Sequence, residues 1–226
     1  LICNDERARL AFCFMNSVMA EKRKYDNEQA ASQLRKNGKD DEADKLQKLN
    51  WREFQMAFIL QSLRGVTGMD KSEQKTADVL WFPTGGGKTE AYLGITAFAI
   101  SYRRLLFENE IKNSDGEILN NDGGVCVISR YTLRLLTIQQ FQRALGVFVV
   151  SDLRRIQNWI PKSILLDGLK FENESLNKKF LSKNLWGKSR FSIGMWIGGD
   201  ATPTRFPYGK GDRGKGILNA EGSLMS

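Results

Sequence analysis

The sequence predicts an α/β fold, a parallel sheet flanked by helices, preceded by a helical N-terminal region. Three short apolar runs carry that expectation: residues 77–82 (ADVLWF), 125–129 (VCVIS) and 191–197 (FSIGMWI) have the look of buried strands. Helical patterns lie between them, the alternation of a parallel sheet with right-handed crossovers. Before residue 77 the apolar residues recur at helical spacing only. The expected division is residues 1–76 as the helical region and residues 77–226 as the first, incomplete part of the α/β domain.

In chain order, Asn4 and Asp5 offer an N-cap to a helix whose stripe includes Leu10, Phe12, Phe14, Met15, Val18 and Met19. The pattern turns polar after Glu21 and stops at Asn37-Gly38. Residues 39–50 are almost wholly polar and read as an exposed helix or hairpin arm. Residues 51–63 form an amphipathic pattern with Phe54, Phe58 and Ile59 on one face, closed by Gly65 and Gly68. The first apolar run follows, is broken at residues 83–87, and gives way to an apolar helix over 88–107. Asp115-Gly116 and Asp122-Gly123-Gly124 mark turns before the second run. A helix is expected over 132–144, its apolar pattern continuing through Val150 to Trp159, and residues 170–190 read as helical and basic. The third run ends at Gly198-Gly199, and residues 208–216 (YGKGDRGKG) are a flexible basic loop by composition. No internal repeat is present.

The 226 residues contain no histidine, which excludes Ser-His-Asp and Cys-His nucleophiles, His-ligated zinc and imidazole pH switches within this chain. Three scattered cysteines without CxxC spacing suit a reducing cytoplasm. No apolar run is long enough to span a bilayer, so no membrane partner is expected. The opening stretch carries Asp5, Glu6, Arg7 and Arg9, unlike a secretory signal, and a start on Leu1 suggests that a segment precedes it. Of the net charge of +8, little belongs to the front: residues 130–215 hold 16 Lys/Arg against 6 Asp/Glu. Such a stretch suits phosphate backbones, whose neutralisation releases counterions, although scattered lysines also simply solvate a surface.

The most informative segment is Trp81-Phe82-Pro83-Thr84-Gly85-Gly86-Gly87-Lys88-Thr89-Glu90. A nucleoside triphosphate needs several backbone N–H groups converging on its oxygens, and residues without Cβ let the chain come close enough. Gly85, Gly86 and Gly87 supply that freedom, and the next helix turns its positive end to the anion. Lys88 is placed to reach the β- and γ-phosphates, and the Thr89 hydroxyl to ligate Mg²⁺. The expected cofactors are ATP and Mg²⁺, with Arg52, Gln55, Thr84, Gly85, Gly86, Gly87, Lys88, Thr89 and Glu90 as the binding set. The general pattern GxxxxGK[ST] has glycine where this chain has Phe82. The form Pro-Thr-Gly-x-Gly-Lys-Thr behind a strand resembles instead motif I of superfamily 2 helicases, where alanine is usual at that position.

Upstream, Trp51-Arg52-Glu53-Phe54-Gln55 resembles the aromatic-Gln segment that sits near the adenine in such helicases. A Gln amide matches the donor and acceptor of the adenine N6/N7 edge, while an exposed Gln on an ordinary amphipathic helix reads the same. Downstream, residues 129–140 (SRYTLRLLTIQQ) resemble motif Ia, which grips the backbone of a single strand. Arg130 and Arg134 add charge, Thr132 and helix N–H groups can bind phosphate, and Tyr131 can stack a base. Gly198 and Gly199 resemble the glycine pair that meets the nucleic-acid strand before motif II.

Residues 41–44 spell Asp-Glu-Ala-Asp, the letters that name DEAD-box helicases. They precede the glycine loop and have no apolar run before them, so they read as a solvated helix face. No other motif II is legible: Asp167 is followed by Gly168 in place of Glu, and Asp152 fits no better. The expectation is the front part of a helicase, inactive alone, with its catalytic carboxylates and arginine finger beyond this chain.

The blocks LWFPTGGGKTEAYLG, SRYTLRLLTIQQFQRA, RLAFCFMN and FQMAFIL together resemble the DrmA-type superfamily 2 helicases of the DISARM anti-phage defence system. Prokaryotic helicases that act beside DUF1998 proteins are the nearest alternative. The resemblance covers most of residues 7–199. It implies a RecA-like P-loop NTPase domain, a cytoplasmic DNA helicase or translocase, DNA of single-stranded character as substrate, and a DUF1998-containing, DrmB-like partner subunit. Two other classes stay open, a phosphotransferase using the same loop and an ATP-independent nucleic-acid-binding scaffold.

Overall fold

Asp5 opens the first helix, and it does so through its side chain. Its carboxylate accepts from Arg7 N (2.8 Å) and Ala8 N (3.2 Å), the orphan donors of a helix start. The computed structural model describes residues 2–69, 72, 75–83, 85–106, 111–112, 118–119, 122–131, 134–162 and 171–196. Its helices are α1 (Glu6–Asp26), α2 (Glu28–Lys36), α3 (Asp40–Gln47), α4 (Glu53–Thr67), α5 (Lys88–Leu105), α6 (Arg134–Ile156) and α7 (Glu174–Leu181). The chain divides into two units, Leu1–Ser129 with Arg143–Ser192, and Arg130–Gln142 with Ile193–Ser226. Among the described residues no helix is long and apolar enough to cross a membrane.

The expected parallel sheet is not found among the described residues. The only strand pairing among the described residues joins β1 (Ile111–Lys112) to β2 (Ile118–Leu119), antiparallel and two residues long. The described residues of the three apolar runs form no ladder, and many of their side chains are exposed: Val79 by 83%, Trp81 by 92% and Ile128 by 85%. A RecA-like sheet flanked by helices is therefore corrected to a helical architecture. The physical reason lies in where backbone hydrogen bonds go. A helix closes its own ladder within the segment, whereas a strand needs a neighbouring strand to supply donors and acceptors. A short apolar run specifies neither the partner nor the register, and among the described residues none of these three pairs with another. Residues 170–190 are likewise only partly helical, over α7.

The core of the first unit is where the helical stripe predicts it. Leu10, Phe14, Met15 and Val18 of α1 are fully buried, with Ile59 and Leu63 of α4 and Ala97 and Phe98 of α5. Gly94 lets α5 approach closely, since a Cβ there would come within 2.9 Å of the Trp51 ring. Trp51 is held in turn by its Nε1, which donates to Asn16 Oδ1 (2.8 Å). Phe14 meets Trp186 at a centroid separation of 4.3 Å, and the Trp186 indole donates to Trp159 O (2.6 Å). That bond satisfies the one polar atom of a fully buried indole. The polar stretch after Glu21 first completes α1, to Asp26, and then forms the α2–α3 arm, tied by Arg35 to Asp44 (2.9 Å) and tied back to α1 by Arg23 donating to Leu46 O (3.0 Å).

Residues distant in sequence are joined to this core by charged groups. Asp152 of α6 accepts from Arg155 Nε (2.6 Å) and from Phe191 N (3.0 Å). The Arg155 hydrogen bond, reinforced by the Phe191 N–H, holds its carboxyl below the usual 3.8. A depressed carboxyl contributes stability above its unfolded value and loses it as pH falls through its folded value. Asp152→Asn is thus expected to lower stability at pH 7. In urea titrations its gap to the parent should close as pH falls below that usual 3.8. A gap that stays constant down to pH 3 would rule out this carboxylate as the source.

Candidate functional site

The glycine loop is bent by backbone geometry that only glycine adopts cheaply. Gly85 and Gly87 lie at φ +79° and +90°, in the left-handed region, and Gly87 is the N-cap of α5. Gly86 N donates to Pro83 O (3.2 Å), closing a turn. A Cβ on Gly86 would fall 2.8 Å from the Phe82 ring, and one on Gly87 would fall 2.7 Å from Gln55 Nε2. Two of the three glycines therefore answer to close packing around the loop.

That packing comes from the first turn of α4. The Phe54 and Phe82 rings stack at 3.8 Å with planes 13° apart, which explains how an aromatic residue stands at a position where small residues are usual. Arg52 Nη1 donates to Gly86 O (2.7 Å) and Gln55 Nε2 to Gly87 O (2.7 Å). Gln55 Oε1 accepts from Arg52 N (2.8 Å), so both ends of this buried amide are engaged within the protein.

Lys88 and Thr89 occupy the first turn of α5, both half-buried. The Lys88 ammonium donates to Phe82 O and to Pro83 O (3.3 Å). Glu90, in the same turn, pairs with Arg143 of α6, an ion pair that neutralises a carboxylate beside the loop. The structure thus brings together Arg52, Gln55, Gly85, Gly86, Gly87, Lys88 and Glu90. Thr84 lies outside the described residues.

Among curated proteins, the chain is 36% identical over 207 residues to the DISARM protein DrmA of Bacillus paralicheniformis (strain ATCC 9945a / NCIMB 11709 / CD-2). The alignment covers 89% of this chain. The chain is DrmA-like. It spans only 15% of the length of that relative. No protein-family model matches the DrmA-like chain, and no solved structure matches it.

The remaining expected residues of this DrmA-like chain belong to the second unit. Arg130 and Tyr131 are exposed there, and Arg134 begins α6. The Arg134 side chain, Thr132, Gly198 and Gly199 lie outside the described residues, as do residues 208–216 and Asp167. Asp41, Glu42 and Asp44 sit exposed on α3, with Asp44 paired to Arg35. Among the described residues no cluster of three or more acidic or cysteine side chains could cage a metal ion.

Sequence reasoning missed two participants. Phe54 was legible as the aromatic beside Gln55, but its stacking on Phe82 is a contact between separate segments. Arg143 had no local signal beyond its place on a helix, 53 residues after Glu90.

Proposed function

We propose that the chain is the nucleotide-binding portion of an ATP-dependent DNA helicase or translocase that acts in DISARM anti-phage defence. The observation that carries this reading is the glycine turn running directly into α5, with Lys88 and Thr89 in its first turn. The likeness to DrmA supports the setting. Lys88 would bind the β- and γ-phosphates, and the helix end would add its dipole. Mg²⁺ keeps most of its ligands as water and phosphate oxygens, so a single hydroxyl, that of Thr89, fits its needs without an acidic cage. Arg130, Tyr131, Thr132 and Arg134 would hold a DNA strand through phosphate contacts and base stacking. Gly198 and Gly199 would let the backbone approach that strand. A DUF1998-containing subunit is the proposed partner, and the cytoplasm the proposed compartment.

Phosphate release by the intact protein, with and without single-stranded DNA, tests the reading. The expected result is ATP turnover that DNA stimulates and small hydroxyl acceptors do not. Stimulation by a small acceptor alone would mark a phosphotransferase. DNA binding that is salt-sensitive but indifferent to ATP analogues, without turnover, would mark a scaffold.

A further inference from the structure

The N-cap and first turn of α4 touch the glycine loop at three points: the Phe82 ring, Gly86 O and Gly87 O. A trans peptide unit is planar, with its C=O and N–H pointing in opposite directions. The Gly86 carbonyl shares its plane with the Gly87 N–H, and the Gly87 carbonyl shares its plane with the Lys88 N–H. Drawing both carbonyls to α4 therefore turns both N–H groups away from α4. These are donors at the start of α5, where an anion is received. The Gly87 carbonyl also accepts from Glu90 N (3.2 Å), and the bonds from Arg52 and Gln55 add to that restraint in a run of glycines, whose backbone angles have the widest choice.

We infer that Arg52 and Gln55 are positioning residues that preset two peptide planes of the phosphate-binding loop, so that triphosphate affinity depends on the first turn of α4 whatever the base. The inference rests on the nucleotide-loop reading of the site. Gln55 serves this role at the expense of base reading. Its Oε1 accepts from Arg52 N, its Nε2 donates to Gly87 O, and its side chain is only 4% exposed. To read adenine it would have to abandon both the loop and the start of α4. Arg52 is exposed and contributes a charge-assisted bond, stronger than one between neutral groups.

Competition binding of ATP, GTP and inorganic tripolyphosphate to the intact protein decides the matter. Arg52→Ala and Gln55→Ala are each expected to weaken all three ligands by a common factor of about ten, the worth of one such hydrogen bond. Arg52→Lys should recover most of the loss, because an ammonium can still donate to one carbonyl. The thermal midpoint of the Arg52 variants should stay at the parent value, which separates positioning from general destabilisation. If Gln55→Ala weakens ATP but spares GTP and tripolyphosphate, Gln55 is a base reader and the inference falls. If both alanine variants bind as the parent does while Lys88→Ala loses binding, the inference falls and the loop reading stands. A parent protein that binds none of the three ligands overturns both.

Discussion

Lys88→Ala in the intact protein is expected to abolish DNA-stimulated ATP hydrolysis, with a loss of at least about 100-fold in turnover, the scale for removing one preorganised charge-stabilising donor. The ammonium is poised for this task by its surroundings. It sits in the first turn of α5 and rests on Phe82 O and Pro83 O. Those neutral carbonyls are weaker partners than phosphate oxygens, so an arriving triphosphate can draw the ammonium across without breaking a strong ion pair. Lys88→Arg should fail to restore activity, because a guanidinium fork is larger and planar where a compact point charge is needed. Measurement of phosphate release at saturating DNA, alongside circular dichroism to show an unchanged helical content, gives the check. Turnover within twofold of the parent would sink the assignment of Lys88 and the nucleotide reading with it.

Arg104→Ala is expected to cost the first unit about 1–3 kcal/mol, the range for leaving a buried hydrogen-bonding group without its partner. Arg104 lies on α5 and is only 5% exposed. Its guanidinium donates to Trp186 O (3.0 Å), Ser189 O, Asp122 O (3.2 Å) and Arg190 O (3.1 Å). It also lies over the Phe191 ring, 4.0 Å from the centroid. Burial lowers its pKa and the Asp122 carboxylate opposes that shift. Even lowered, an arginine stays charged at neutral pH. One side chain thus satisfies four backbone acceptors that belong to no helix or strand. Alanine would leave the buried Trp186 carbonyl unsatisfied, which is costly, while the carbonyls of Asp122, Ser189 and Arg190 lie nearer the surface. Arg104→Lys should rescue little, since one nitrogen cannot serve four carbonyls spread around a planar fork. Urea unfolding followed by circular dichroism reads the change. A loss below about 1 kcal/mol would mean that water takes over the carbonyls.

The legible parts of this protein are those whose physics is local. The N-cap at Asp5, the buried stripe of α1 and the stop at Gly38 could be read directly, because a helix is decided by residues three and four apart. So could the glycine loop, whose positive φ values at Gly85 and Gly87 answer to residue type. The strand expectations failed because residues 77–82, 125–129 and 191–197 carry a preference for burial but no information about partners. Phe191 shows the distinction. It is buried as an apolar run predicts, yet against Phe14 and beneath Arg104, on the surface of helices. In the candidate site, Gln55 was legible as a residue of interest, while its occupation by Gly87 O was not.

By itself, the sequence determined the apolar helices α1, α4 and α5, the glycine turn with Lys88 and Thr89, the absence of imidazole chemistry and the likeness to DrmA. Only the tertiary structure decided that the described residues of the apolar runs form no sheet and that Phe82 is held by Phe54. It also decided that Glu90 is neutralised by Arg143, and that the first turn of α4 grips the loop through two carbonyls. The physical reason is common to all four. Helix and turn preferences are set within a few bonds of each residue, whereas strand ladders, ring stacks and ion pairs need groups from distant segments to arrive at one place.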